Sequence, residues 1–160
     1  MKSACFTGHR NLKGDIADLS ERLYQFIKKS IVDLGLTEFI SGGAIGWDLL
    51  AAKTVLQLKE AYPQVRLHLV LPCSNAEQTE KWNEMQRKEF YYILSLADEV
   101  EYTSEHSNKE CMKLRNARMV ELATDYCICY YNENRKRSGT GQTVRMAQKK
   151  GITIENFYQE

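Results

Sequence analysis

Ser41-Gly42-Gly43-Ala44-Ile45-Gly46-Trp47-Asp48 joins a short β-like run, Thr37 to Ile40, to an apolar helix-like run, Leu49 to Leu58. Glycines in such a turn let backbone N–H groups approach an anion with no Cβ in the way. The helix that follows adds unpaired amides and the positive end of its dipole. A phosphate-bearing ligand is the expected occupant, and a side chain at Gly43 is expected to block amide donors while leaving the fold intact. The run is neither G-x-G-x-x-G nor G-x-x-x-x-G-K-[ST], so taken alone it also fits a tight connection with no ligand.

Two further turns have the same character. Ser3 to Phe6 reads as a first strand running into Thr7-Gly8-His9-Arg10, and Tyr126 to Tyr131 reads as a buried strand after which Ser138-Gly139-Thr140-Gly141 opens the last helix. Three glycine-containing turns, each between a strand and a helix N-terminus, are what a crevice at the carboxyl edge of a parallel sheet requires.

The segments between them alternate. Asp15 caps a helix whose apolar positions, Ile16, Leu19, Leu23, Phe26, Ile27, Ile31 and Leu34, follow helical spacing and stop at Gly35. Tyr62-Pro63 ends the second helix, and Arg66 to Leu71 is a third strand. Trp82, Met85, Phe90, Ile93 and Leu94 belong to a third helix, Asp98 to Tyr102 to a fourth strand, and about Asn108 to Ala123 to a fourth helix. The last helix runs to about Lys150, and Ile152 to Ile154 is the final strand. This alternation predicts an α/β chain: a Rossmann-like three-layer fold with a mainly parallel sheet, as one domain over 1–160.

Composition narrows the function. The chain has 160 residues, 43% of them hydrophobic and only two prolines, enough for a full core. Its formal charge of +1 gives no global field toward nucleic acid or an anionic membrane. The run Arg135-Lys136-Arg137 reads as a solvated loop rather than a nucleic-acid contact. The five cysteines, Cys5, Cys73, Cys111, Cys127 and Cys129, are an odd set in apolar contexts, which suits reduced thiols in a cytoplasm. Cys127 and Cys129 are expected on opposite faces of their strand, with no histidine near them in sequence, so no metal is expected. Without an 18-residue apolar run or a signal peptide, a soluble cytoplasmic protein is expected, with no membrane contact. A homo-oligomer stays open.

Several side chains stand out. The apolar stripe of the fourth helix, Met112, Met119 and Leu122, is interrupted by Arg115, which either pairs structurally or points at a ligand phosphate or carboxylate. His9 is a candidate acid, base or phosphate donor. Cys73 lacks the neighbouring histidine a nucleophile needs. Trp82 and Tyr91 read as core or rim residues, and His68 and His106 receive no role.

Thr7-Gly8-His9-Arg10, Ser41-Gly42-Gly43-Ala44-x-Gly46-x-Asp48, Trp82 with Tyr91 and Ala97-Asp98, and Ser138-Gly139-Thr140 together resemble the pattern of the YpsA-type proteins. These belong to the SLOG superfamily, with the DNA-processing protein DprA and the LOG phosphoribohydrolases. The resemblance spans nearly the whole chain. It implies a Rossmann-like sheet and a site for a nucleotide-derived ligand related to NAD or ADP-ribose. Binding of such a ligand, or of a nucleotide, by a sensor or carrier module is the expected function. Arg115-Asn116-Ala117-Arg118-Met119 is similar to the R-K-x-M segment of LOG enzymes, whose Arg works with a Glu from G-G-x-G-T-x-x-E to cleave an N-glycosidic bond. Here that Glu position is Thr143, so LOG-like N-glycosidic hydrolysis is the alternative, with Asp48 and Arg115 as candidate catalytic groups. A DprA-like single-strand DNA binder is the third reading, opposed by the balanced charge.

Overall fold

Strand residues of this chain send alternate side chains to two different apolar layers, and that alternation builds the molecule. The computed structural model describes residues 1–135 and 137–159; Lys136 of the basic loop lies outside the described residues. The elements are β1 (Ser3–Gly8), α1 (Ile16–Val32), β2 (Glu38–Ser41), α2 (Trp47–Lys59), β3 (Arg66–Leu71), α3 (Asn75–Gln78), α4 (Glu84–Leu96), β4 (Glu99–Tyr102), α5 (Cys111–Leu122), β5 (Tyr126–Tyr130), α6 (Gly139–Lys150) and β6 (Thr153–Asn156). All strand pairs are parallel, in the order β4-β3-β2-β1-β5-β6. The chain steps outward from β1 in one direction as far as β4, then restarts on the other side of β1 with β5. The order reverses between β1 and β5, where open α/β sheets leave a crevice at the carboxyl ends of the strands.

On one face Ala4, Phe6, Phe39, Leu67, Leu69 and Ile128 pack with Leu19, Leu23 and Ile27 of α1, Trp47 and Val55 of α2, and Phe90 and Ile93 of α4. On the other, Cys5, Ile40, Val70, Cys127 and Cys129 pack with Met119 and Val120 of α5 and Val144 and Ala147 of α6. The result is a three-layer Rossmann-like α/β fold. Cys127 and Cys129 therefore share one face, correcting the expectation that they diverge: residues two apart on a strand point the same way.

Local signals set most element ends. The Asp15 carboxylate accepts from the Asp18 amide at the start of α1, Asn83 and Gln86 form a reciprocal capping box on α4, and Ser138 accepts from the Gly141 amide on α6. The expected third helix is divided: Ser74 caps the short α3, and α4 begins only at Glu84. Trp82 lies between the two, buried edge-on against Phe90, while Met85 is exposed. Tyr91 sits on the outer side of the same ring, and α5 starts at Cys111 rather than near Asn108.

Candidate functional site

A cavity of about 470 Å³ opens at the carboxyl end of the sheet, at the β1/β5 reversal. Five lining residues follow or end β1 (Thr7, Gly8, His9, Arg10, Asn11), and two, Ala44 and Asp48, come from the turn into α2. Met112, Arg115 and Asn116 descend from α5, and Arg135, Arg137, Ser138, Gly139 and Thr140 come from the approach to α6. Arg135 and Arg137 were expected only as solvated loop; their signal was a place directly ahead of a capped helix N-terminus. Asn116 and Asn11 carried no signal.

Ser41, Gly42, Gly43 and Gly46 do not line the cavity, and their roles differ from an amide cradle. Ser41 Oγ donates to the Asp48 carbonyl at 3.0 Å and accepts from the Gly43 amide at 3.2 Å. The Ala44 amide donates to Asp48 Oδ2 at 3.4 Å, and the Trp47 amide donates to the His9 carbonyl at 3.3 Å. The Gly43, Ala44 and Trp47 amides of this turn are thus spent within the protein. Gly43 has φ +68, and a Cβ there would meet Leu71 at 2.6 Å, so a side chain at Gly43 disturbs the fold, against expectation. A Cβ at Gly8 would lie 2.4 Å from Trp47, whose indole donates to the Ile128 carbonyl at 3.1 Å and stacks on Tyr130. Gly8 is small to admit that ring. The start of α6 is different: a Cβ at Gly139 meets nothing nearer than Asn116 at 3.6 Å, and the first-turn amides of a helix have no intrahelical acceptor.

What the glycine turn builds is a buried charged floor. Asp48 and Arg115 are 4% and 5% exposed. Arg115 Nε donates to Asn116 Oδ1 at 2.7 Å, Nη1 to the Gly42 carbonyl at 2.5 Å, and Nη2 to Met112 Sδ at 3.4 Å. A Cβ on Gly42 would come within 2.7 Å of Arg115 Nη1 and 2.9 Å of Asp48 Oδ2, so Gly42 lets the two charged groups close in. Burial pushes the Asp48 carboxyl up to about 6, against the opposing pull of Arg115, the Ala44 amide and Arg10. Burial also lowers the Arg115 pKa, which Asp48 counteracts. Asp48 Oδ1 is buried with no hydrogen-bond partner. A buried acceptor left empty beside a cavity is a place for a ligand donor.

His9 is held as a neutral imidazole. Burial first, then Arg135 and Lys13, lower its pKa, and its Nε2 accepts the Asn132 amide at 2.9 Å. The proton therefore sits on Nδ1, and the ring ties the β1 turn to the loop that carries Arg135 and Arg137. Asp48 is the single carboxylate among the described residues of the lining, against four guanidiniums: Arg10, Arg115, Arg135 and Arg137. Such a lining can attract an anion, and the empty Asp48 oxygen can accept from a donor on the same molecule.

Thr143 is fully buried, and its hydroxyl donates to the Gly139 carbonyl within its own helix at 2.9 Å. No carboxylate enters from α6. The Cys73 thiol, raised by burial above its ordinary range, is not activated as a nucleophile.

A family model described as the YspA SLOG family, or YpsA, matches residues 4–157. The chain belongs to the YpsA-type SLOG family. It is similar to UPF0398 proteins of Bacillus cereus strain B4264 and Bacillus thuringiensis strain Al Hakam, each 30% identical over 99% of this chain and 88% of the relative. Within this chain the three glycine-containing turns lie at one sheet edge.

Arg115 makes its contacts inside the protein, so Arg115→Lys is expected to act on stability first. Lys cannot serve Gly42, Asn116 and Met112 together, and losing charge-assisted bonds of this kind costs roughly 1.5–3 kcal/mol each when buried. Thermal melts should show a clear fall. A variant melting like the wild type, with ligand affinity lost, would instead assign Arg115 to the ligand alone.

Proposed function

We propose that the cavity binds a nucleotide-derived small molecule of the NAD, ADP-ribose or nucleotide type, and that the protein serves as a cytoplasmic sensor or carrier module for it. The observation that carries this reading is the unpartnered, buried Asp48 Oδ1 beneath a rim of guanidiniums. A ribose hydroxyl is the neutral donor that satisfies a carboxylate, and the phosphate attached to it suits Arg10, Arg135, Arg137 and the first turn of α6. Five buried thiols without a disulfide fit a reducing compartment. No helix among the described residues is long and apolar enough to cross a membrane.

Calorimetric titration with NAD, ADP-ribose, nucleoside monophosphates and short single-stranded DNA tests the reading. One ribose-phosphate ligand bound per chain, with DNA inert, is the expected result; a panel with no binder, or DNA alone bound, removes it. One observation favours N-glycosidic hydrolysis as a second reading: a cavity carboxyl raised to about 6 is poised to give or take a proton near neutrality. Chromatography of the same mixtures separates the two, because release of free base by the wild type but not by Asp48→Asn would make the protein an enzyme.

A further inference from the structure

The sheet carries a second cluster of ligating groups, away from the cavity and on the face covered by α5. Glu38 is the first residue of β2 and Glu99 the first of β4, and His68 lies between them on β3, paired in register with Glu99. Their nitrogen and oxygen ligand atoms all fall within 4.8 Å of one another. His68 Nδ1 stands 3.3 Å from Glu38 Oε1 and 3.7 Å from Glu99 Oε2. Donor atoms bound at 2.0–2.2 Å to a tetrahedral zinc ion lie roughly 3.3–3.6 Å apart, so the carboxylates need only close slightly.

His68 Nδ1 is hydrogen-bonded to Glu38 Oε1, and beyond that bond the group is uncompensated in charge and incomplete at Nε2. Arg118 is engaged by Glu101 and Glu121, each at 2.9 Å, and among the described residues neither Glu38 nor Glu99 has a Lys or Arg nitrogen within 4.0 Å. Two carboxylates thus converge on one imidazole nitrogen whose side chain is only 4% exposed. Independently, the buried His68 Nε2 has no hydrogen bond, although Glu101 Oε1 is 2.8 Å away at too bent an angle. A metal on Nδ1 would fix the proton on Nε2, and a small rotation of the ring would aim that N–H at Glu101, itself held by Arg118. A metal-bound histidine whose other nitrogen donates to a carboxylate is the usual supporting arrangement.

We propose that Glu38, His68 and Glu99 bind a divalent transition-metal ion of the zinc type through His68 Nδ1 and one oxygen from each carboxylate, with Glu101 orienting the imidazole. Imidazole among the donors favours such an ion over Mg2+ or Ca2+, which prefer oxygen alone. The ion staples the four-residue edge strand β4 to β3 and β2, a structural role independent of the cavity. Sequence spacing gives no sign of this group, because the three ligands are distant in sequence and meet only through parallel pairing.

Protein stripped by a chelator and titrated calorimetrically with Zn2+, Mg2+ and Ca2+ tests this. One Zn2+ per chain should bind and raise the melting temperature, with Mg2+ and Ca2+ giving no stoichiometric binding. Glu99→Gln removes a half-exposed ligand and should lower zinc affinity at least 10-fold while the protein stays folded. Glu101→Gln should lower it by about 10-fold through the imidazole alone. Absence of stoichiometric zinc in the wild type, preferential binding of Mg2+ or Ca2+, or zinc bound equally well by Glu99→Gln overturns the site.

Discussion

Asp48→Asn is expected to weaken ligand binding sharply while making the unliganded protein more stable at neutral pH. The side chain keeps its shape but loses the charge that burial opposes. Loss of a charged acceptor costs roughly 1.5–3 kcal/mol of binding, about 10- to 100-fold in affinity. The stability effect follows from the carboxyl standing at about 6 in the folded protein against an ordinary 3.8. The folded state holds that proton more tightly than the unfolded chain. The resulting stabilisation is complete below the ordinary value and is lost as pH rises through about 6. Asn has no proton to lose, so its advantage should open between pH 4 and pH 7 and reach at most about 3 kcal/mol. Melting curves of both proteins at pH 5 and pH 7 read this directly as a difference that grows with pH. Wild-type affinity should weaken from pH 7 to pH 5 as the carboxylate is protonated. A pH-independent difference in melting, or full affinity in the variant, would sink the role given to Asp48.

The elements were legible because their signals are local. Helical spacing and the Asp15 cap marked α1, Ser138 marked α6, and the apolar run Arg66 to Leu71 marked β3 with its observed bounds. The division of the third helix was hidden because Trp82 and Met85 look alike as apolar letters, while one is buried against Phe90 and the other faces solvent. Side-chain direction on β5 was misread for Cys127 and Cys129, where simple alternation decides the matter.

Placement in the cavity was legible for Thr7, His9, Arg10, Ala44, Asp48, Arg115 and the start of α6, because strand ends in an α/β sheet meet at one edge. What each residue does there was less so. Arg115 was recognised as an anomaly in an apolar stripe, but its partners Gly42 and Asn116 and the empty acceptor on Asp48 are three-dimensional facts. The glycines misled most: a glycine that bares an amide and a glycine that admits a neighbour read identically in sequence.

Gly46 is the sharpest instance of the second kind, and Gly46→Ala is expected to be the most destabilising of these substitutions. Its φ is +85, and a Cβ would lie 2.4 Å from the Arg10 carbonyl oxygen and 2.7 Å from the Arg10 Cα. Those are backbone atoms of the turn after β1, so no side-chain rotation relieves the contact. The same junction carries the Trp47 amide bond to the His9 carbonyl, which starts α2 and seats the indole against Tyr130. With ψ at −124 this backbone lies outside the left-handed well, which costs an L-residue roughly 1–3 kcal/mol, and overpacking adds roughly 1–3 kcal/mol. At about 2–4 °C per kcal/mol for a chain of this size, the melting temperature should fall by roughly 5–20 °C. Gly35→Ala is the comparison, because Gly35 also has a positive φ, +74, with nothing within 4 Å of a Cβ, so it bears a backbone cost without any overlap. The gap between the two variants measures how tightly the Arg10 turn is pressed onto the start of α2, and hence how rigidly Arg10 and Asp48 are held across the cavity. A melting temperature for Gly46→Ala no lower than that of Gly35→Ala would show that the turn yields and that the Arg10 contact carries no cost.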